Sequence, residues 1–250
     1  MQISVVLASL MVGCSDEGAD EAPSEMVPEV VGNTVRLQRY PPVVVATVPE
    51  TGSSGVGAVS TDELTVVFSK PMNPSTWAWV TVDGEGIPIG SVRFDSDTEH
   101  RALGVKLEPD ETYLAWLNDP FGVYNAFQDE RGRFSLPYPF VFSTGSDTTV
   151  LDGVEGAVVE TTPPAGTDDV DPDSITRVVV RYSKAMSVVD WLPDEPETEL
   201  PITNTGLIDG NTAFADVELE RATTYAVELS GVDTFGISAA PYLLTFRTSE

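Results

Sequence analysis

Hydrophobic residues in this chain recur at every second position over short stretches. Leu64, Val66 and Phe68 alternate with Thr65, Val67 and Ser69, and Val178, Val180 and Tyr182 repeat that phase between Arg177 and Ser183. Val105 with Leu107, Val217 with Leu219, and the runs Tyr113, Ala115, Leu117 and Tyr225, Val227, Leu229 are spaced the same way. A period of two buries one face of a strand and wets the other. No long stretch keeps the spacing of an amphipathic helix, and turn signals such as Asp83-Gly84 and Asp209-Gly210 separate the runs. The pattern predicts strands near 43–48, 64–69, 78–82, 89–94, 103–108, 112–117 and 138–143. Evenly spaced short strands point to an all-β fold built as a sandwich of two antiparallel sheets.

The pattern occurs twice. Pro49 and Gly52 match Pro163 and Gly166, and Phe68-Ser69-Lys70-Pro71-Met72 matches Tyr182-Ser183-Lys184-Ala185-Met186, all 114 positions apart. Trp77 matches Trp191 at that spacing. Thr112-Tyr113 matches Thr224-Tyr225 at 112, and Asp129, Gly132, Pro137-Tyr138 and Thr144 match Asp233, Gly236, Pro241-Tyr242 and Thr248 at 104. Such ordered self-similarity is the mark of a duplicated unit. It divides the chain into 1–14, a tether at 15–41, a first domain at 42–146 and a second at 155–250. As separate domains, the two are expected to unfold independently.

Composition narrows the function. Forty acidic residues stand against 13 basic ones, a net charge of −27. That excludes a basic face for nucleic acid. One Cys excludes an internal disulfide, and one His excludes a His-cluster metal site. No cofactor is implied, and a monomer is expected.

The apolar run Ile3 to Val12 has the length of a signal-peptide core. Its end, Leu10-Met11-Val12-Gly13-Cys14, resembles the bacterial lipobox, which implies lipidation of Cys14 and a membrane anchor. The alternative is an ordinary signal peptide or a buried strand with a chance Cys. Ser15 follows where an Asp would favour inner-membrane retention, so the outer membrane is expected in a Gram-negative host. The acidic stretch that follows, with Asp16, Glu17, Asp20, Glu21, Glu25 and Glu29, suits a disordered tether.

The order Pro49, Gly52, Val56, then Phe68 to Met72, then Leu107, Thr112, Tyr113, then Asp129, Gly132, Phe142 and Thr144 resembles the bacterial Ig-like domain of the S-layer-protein type. The resemblance extends over 43–145 and 157–250. It implies two tandem immunoglobulin-like β-sandwich domains, export, and a module at or near the cell surface, with no catalytic residue.

No nucleophile motif, phosphate loop or metalloprotease motif stands in the chain. His100 reads as a solvated residue in the polar turn Asp97 to Arg101. Asp169, Asp171 and Asp173 form a weak candidate for Ca²⁺, but the matching loop of the first copy, Ser53 to Thr61, lacks acids, and solvated charge is the default reading. Trp116 takes the position of Glu228, which must point away from the core, so Trp116 and Leu114 fall on an outer face. With Trp79, and with Phe121, Tyr124 and Phe127 of the loop 119–134, they form a candidate binding surface. Cover from the loop or the other domain is the competing reading. The expected function is a non-catalytic, lipid-anchored envelope protein acting in spacing, adhesion or protein contact. Envelope protein or glycan is the expected partner, and a glycan-binding surface module is the alternative function.

Overall fold

A computed structural model describes residues 4–5, 37–81, 86–146 and 152–250. Cys14, the acidic stretch up to residue 36 and the Asp83-Gly84 turn lie outside the described residues. Among the described residues the regular elements are strands, apart from a single 3-10 turn at Pro196–Thr198. No helix among the described residues is long and apolar enough to cross a membrane.

The chain folds as two tandem Ig-like β-sandwiches. In the first, β2 (Val44–Val48), β3 (Glu63–Phe68), β6 (Glu99–Leu103) and β5 (Ser91–Phe94) form one sheet in the order β2-β3-β6-β5. The other sheet pairs β4 (Trp79–Thr81), β7 (Thr112–Leu117) and β8 (Tyr138–Ser143), and the two-residue β1 (Ser4–Val5) lies antiparallel to β4. The second sandwich repeats this with β9 (Val158–Thr162), β11 (Arg177–Tyr182), β14 (Thr212–Val217) and β13 (Ile202–Leu207) on one side. The facing sheet has the order β10-β16-β15-β12, from β10 (Thr167–Val170), β12 (Met186–Pro193), β15 (Thr224–Asp233) and β16 (Tyr242–Thr248).

The alternation places the cores as expected. Leu64, Val66 and Phe68 bury against Ala115, Leu117, Phe140 and Phe142, and Val178, Val180 and Tyr182 bury against Val227, Leu229, Leu244 and Phe246. The repeated motif residues have repeated contacts. Tyr113 Oη accepts the Glu108 amide at 2.7 Å, and Tyr225 Oη accepts the Glu220 amide at 2.8 Å. This is the tyrosine corner of Ig sandwiches, a ring in the core whose hydroxyl holds an upstream turn. Thr144 and Thr248 donate to the carbonyls of the same Glu108 and Glu220.

Four expectations change. The strand placed at 103–108 runs instead over Glu99–Leu103, so His100 is in β6 and fully buried rather than in a wet turn. Its place opposite Val66 is the one Ala213 takes opposite Val180. The polar turn stops at Thr98, and a His–Ala alternation is too weakly apolar to mark a strand by pattern alone. Next, Trp79 pairs with Leu117 as Trp191 pairs with Leu229. Because Leu117 and Leu229 are repeat equivalents, Trp79 and not Trp77 is the counterpart of Trp191. The two-residue shortening of the second copy therefore falls between Met186 and Trp191. Finally, residues 37–41, expected within the disordered tether, are fixed to the body. Leu37 and Tyr40 are buried, and Lys70 Nζ bonds the Gln38 and Tyr40 carbonyls.

Candidate functional site

The distinctive geometry lies where the sandwiches meet, with β2 packed against β9. Ser69 Oγ accepts the Val43 amide and Ser183 Oγ accepts the Ala157 amide, at 3.1 and 3.0 Å. Val43 then packs in the second sandwich's core, and Ala157 in the first's. Gly52 (φ 86°) abuts the Ser183 carbonyl, and Gly166 (φ 87°) abuts the Ser69 carbonyl. A Cβ on Gly52 would sit 2.6 Å from that oxygen. Repeat-equivalent residues therefore face each other in exchanged pairs, the arrangement of a two-fold, isologous contact. Tyr138 and Tyr242, also equivalent, are both buried here, and burial pushes both phenols above their ordinary range. The Arg181 guanidinium grips Glu50 with two 2.8 Å bonds across the seam, and that hydrogen bonding holds the carboxyl below its usual range.

Each sandwich also carries a buried ion pair made from its motif residues. Lys70 lies 3.3 Å from Asp129, and Lys184 lies 2.6 Å from Asp233. Each Lys also donates to two carbonyls of the chain entering its own sandwich: Gln38 and Tyr40 for Lys70, Asp152 and Val154 for Lys184. Each Asp accepts two backbone amides of its own turn, from Arg131 and Arg133 or from Phe235 and Ile237. Burial pushes both carboxyls up, but these amides, the Lys and, at Asp129, the Arg133 guanidinium 3.0 Å away outweigh it and hold them below the usual range. These are structural clamps. Their signal was in the sequence, since both residues of each pair belong to the repeat.

The seam makes two clefts on the outer sheet faces, related by the pseudo-two-fold. In the first, Trp116 packs with Ala78 and Val80 and is covered by Tyr124, Ala126 and, from the second sandwich, Ala240. In the second, Leu136 takes the place of Ala240, Leu192 that of Val80, and Glu228 that of Trp116. That cleft is open. It is a cavity of about 380 Å³ between Leu136, Tyr242 and Leu243 below and Arg39, Asp194, Glu195 and Glu228 at the rim. Arg39 reaches Glu195 at 2.7 Å and Tyr40 Oη at 2.5 Å, and the bond to Tyr40 leads in raising the guanidinium further above its ordinary range.

The candidate aromatic surface does not assemble. Trp116 does lie on the outer face, but is only 6% exposed because loop and neighbour cover it. Trp79 points into the first core beside Phe140, and Phe127 is wholly buried against Phe68. Leu114 and Tyr124 are half-buried, and Phe121 alone of the six is exposed, at 70%. The loop 119–134 is held by Asn118, whose amide oxygen accepts from Ala126 and Phe127 and whose nitrogen donates to the Phe127 and Ser135 carbonyls. His100 is enclosed by Trp77, Trp79, Phe94 and Phe127, with no hydrogen-bond partner on either nitrogen among the described residues, and burial lowers its pKa to about 4. Asp171 accepts the Asp173 amide and Asp173 pairs with Arg221, while Asp169 is exposed. No three acids or other ligands among the described residues are placed to hold a metal ion.

Residues 38–144 match the family model described as bacterial Ig-like domain. No curated protein matches the chain. Among solved structures, a complex with a xylogluco-oligosaccharide is similar at 7% identity and a TM-score of 0.23, over 80% of this chain and 39% of that one. A gamma-CGTase from an alkalophilic Bacillus clarkii is similar at 15% identity and a TM-score of 0.21, over 83% of this chain and 27% of that one. The chain thus spans well under half the length of either, and at these scores neither likeness carries an argument about function.

The open cleft escaped the sequence reading. Its signal is the exchange of Trp116 for Glu228 between copies, which fills one cleft with a ring and leaves the space of that ring empty in the other.

Proposed function

We propose that this protein is a non-catalytic, lipid-anchored module of the cell envelope, a rigid double Ig-like body held off the membrane by an acidic tether and used for spacing and protein contact. The reciprocal seam carries the reading. Val43 and Ala157 each pack in the opposite core, so the two sandwiches move as one body rather than as beads on a linker. Such a body transmits a fixed distance and orientation, which is what a spacer supplies. The bacterial Ig-like family matched by the first sandwich is a family of modules typically found outside the cell or on its surface. Under this reading the second sandwich is a divergent copy of the same module. Glycan binding by stacked rings is not favoured, because only Phe121 of the proposed rings is exposed.

Fractionation of the native host tests the anchor. Wild-type protein is expected in the detergent phase and Cys14→Ala in the aqueous phase; a variant that stays in the detergent phase overturns anchoring. Small-angle scattering of the soluble variant tests rigidity. A profile fitted by one fixed arrangement of the sandwiches supports a spacer, and one that needs many arrangements overturns it.

A further inference from the structure

We propose that the open seam cleft binds an extended, basic segment of a partner protein, taking a Lys or Arg side chain with an adjoining apolar one. The inference deepens the protein-contact reading above. It starts from the pseudo-two-fold. One cleft is filled from within by Trp116 under Tyr124 and Ala126. The other keeps the apolar floor of Leu136 and Leu243 but has Glu228 in place of the Trp116 ring, and the closing loop of its own sandwich is shorter: Gly231 to Ser238 against Asp119 to Phe134. An apolar floor in a cavity of about 380 Å³ is within the size range of ligand sites.

Charge selects the occupant. The rim carries Asp194, Glu195 and Glu228 against Arg39 alone, and Arg39 is already bonded to Glu195 and Tyr40. Carboxylates over an apolar floor fit a cation on an aliphatic stem, as in Lys and Arg. A second copy of this chain is disfavoured by its net charge of −27. A glycan finds no exposed ring in this cleft, since Tyr40 and Tyr242 are buried. The cleft also begins where a free strand edge ends. Among the described residues β12 is the last strand of its sheet and pairs only with β15, and it leads directly into Asp194. Val188 and Leu192 on it are exposed, Leu192 at 48%. An unpaired edge with exposed apolar side chains is a template for an added strand, which points to a polypeptide rather than a small cation.

The test is an amide chemical-shift titration of the ¹⁵N-labelled full chain with the acetylated hexapeptide amide of sequence VTVRLK, and with the same peptide carrying Glu at both basic positions. Saturable shifts at Arg39, Leu136, Glu228, Leu243 and along β12 are expected with the basic peptide alone. Glu228→Gln is expected to weaken binding about threefold, as for a partly exposed charge pair. Glu228→Trp, which restores the ring of the filled cleft, is expected to abolish it. No saturable shift, equal binding of the two peptides, or binding unchanged in Glu228→Gln would overturn the proposal. Should Glu228→Trp fail to fold, Glu228→Gln decides, because it alters an exposed side chain. The titration is done in solution, so its failure is distinct from a failure of anchoring or rigidity.

Discussion

Val43 and Ala157 occupy each other's sandwich: Val43 packs among the second core's residues and Ala157 among the first's, and each is tied back to its own sandwich through Ser69 or Ser183. Two cores joined this way are expected to unfold together. Calorimetry should therefore show one cooperative transition, in place of the two expected from a simple tandem. Two transitions, with one unchanged when Phe68→Ala damages the first core, would show that the seam is weak.

The seam glycines give a sharper test. Gly166 has φ 87° and its missing Cβ would overlap the Ser69 carbonyl, whereas Gly55 has φ 68° with open space around it. Gly55→Ala isolates the backbone effect and should cost about 1 kcal/mol. Gly166→Ala adds a clash with backbone, worth about 1–3 kcal/mol more. Equal loss of melting temperature in the two variants would mean that the close approach is not maintained in solution.

His100 makes the fold acid-sensitive. Its pKa is lowered to about 4 by burial, from 6.5 in the open chain. Between these values the unfolded state holds the extra proton, so stability rises with pH there. About 3 kcal/mol is lost as pH falls from about 6.5 to about 4. His100→Leu should flatten urea-derived stability over that window. The lowered carboxyls of Asp129 and Asp233 act on the acid side of it, because their stabilisation is lost only as pH falls through their folded pKa values. An unchanged slope in His100→Leu would place the ring in contact with water.

The Lys184–Asp233 pair is more deeply buried than most surface bridges, with the Asp fully enclosed. Lys184→Met leaves that carboxylate without its cation and should cost about 3–5 kcal/mol. Lys184→Met with Asp233→Leu should recover part of this. Additive losses in the double variant, measured by chemical denaturation, would show that the two residues act separately.

Trp116→Ala should lower stability by about 3–5 kcal/mol, since the ring is enclosed by both sandwiches. Protein or glycan capture by the body should not change. A binding loss without a stability loss would restore Trp116 as a recognition residue.

The alternation of Leu64, Val66 and Phe68, and of their counterparts in the second copy, was enough to place β3 and β11 and the two-sheet sandwiches, because a period of two needs only one buried face to be read; the alternation of Val105 and Leu107 misplaced β6, which runs over Glu99–Leu103. The repeated Thr-Tyr and Lys and Asp positions likewise mark the tyrosine corners and the clamps, whose partners are supplied within the same copy. The face of Trp116 was legible as well, through Glu228. Its cover was not, because a strand's pattern records which way a side chain points and nothing about what distant chain arrives above it. The same holds for the exchange of Val43 and Ala157, the enclosure of His100 by four rings from three segments, and the cleft left open at Glu228. Each depends on how two sheets pack across a seam, and packing is decided by shape and volume between residues far apart in the chain.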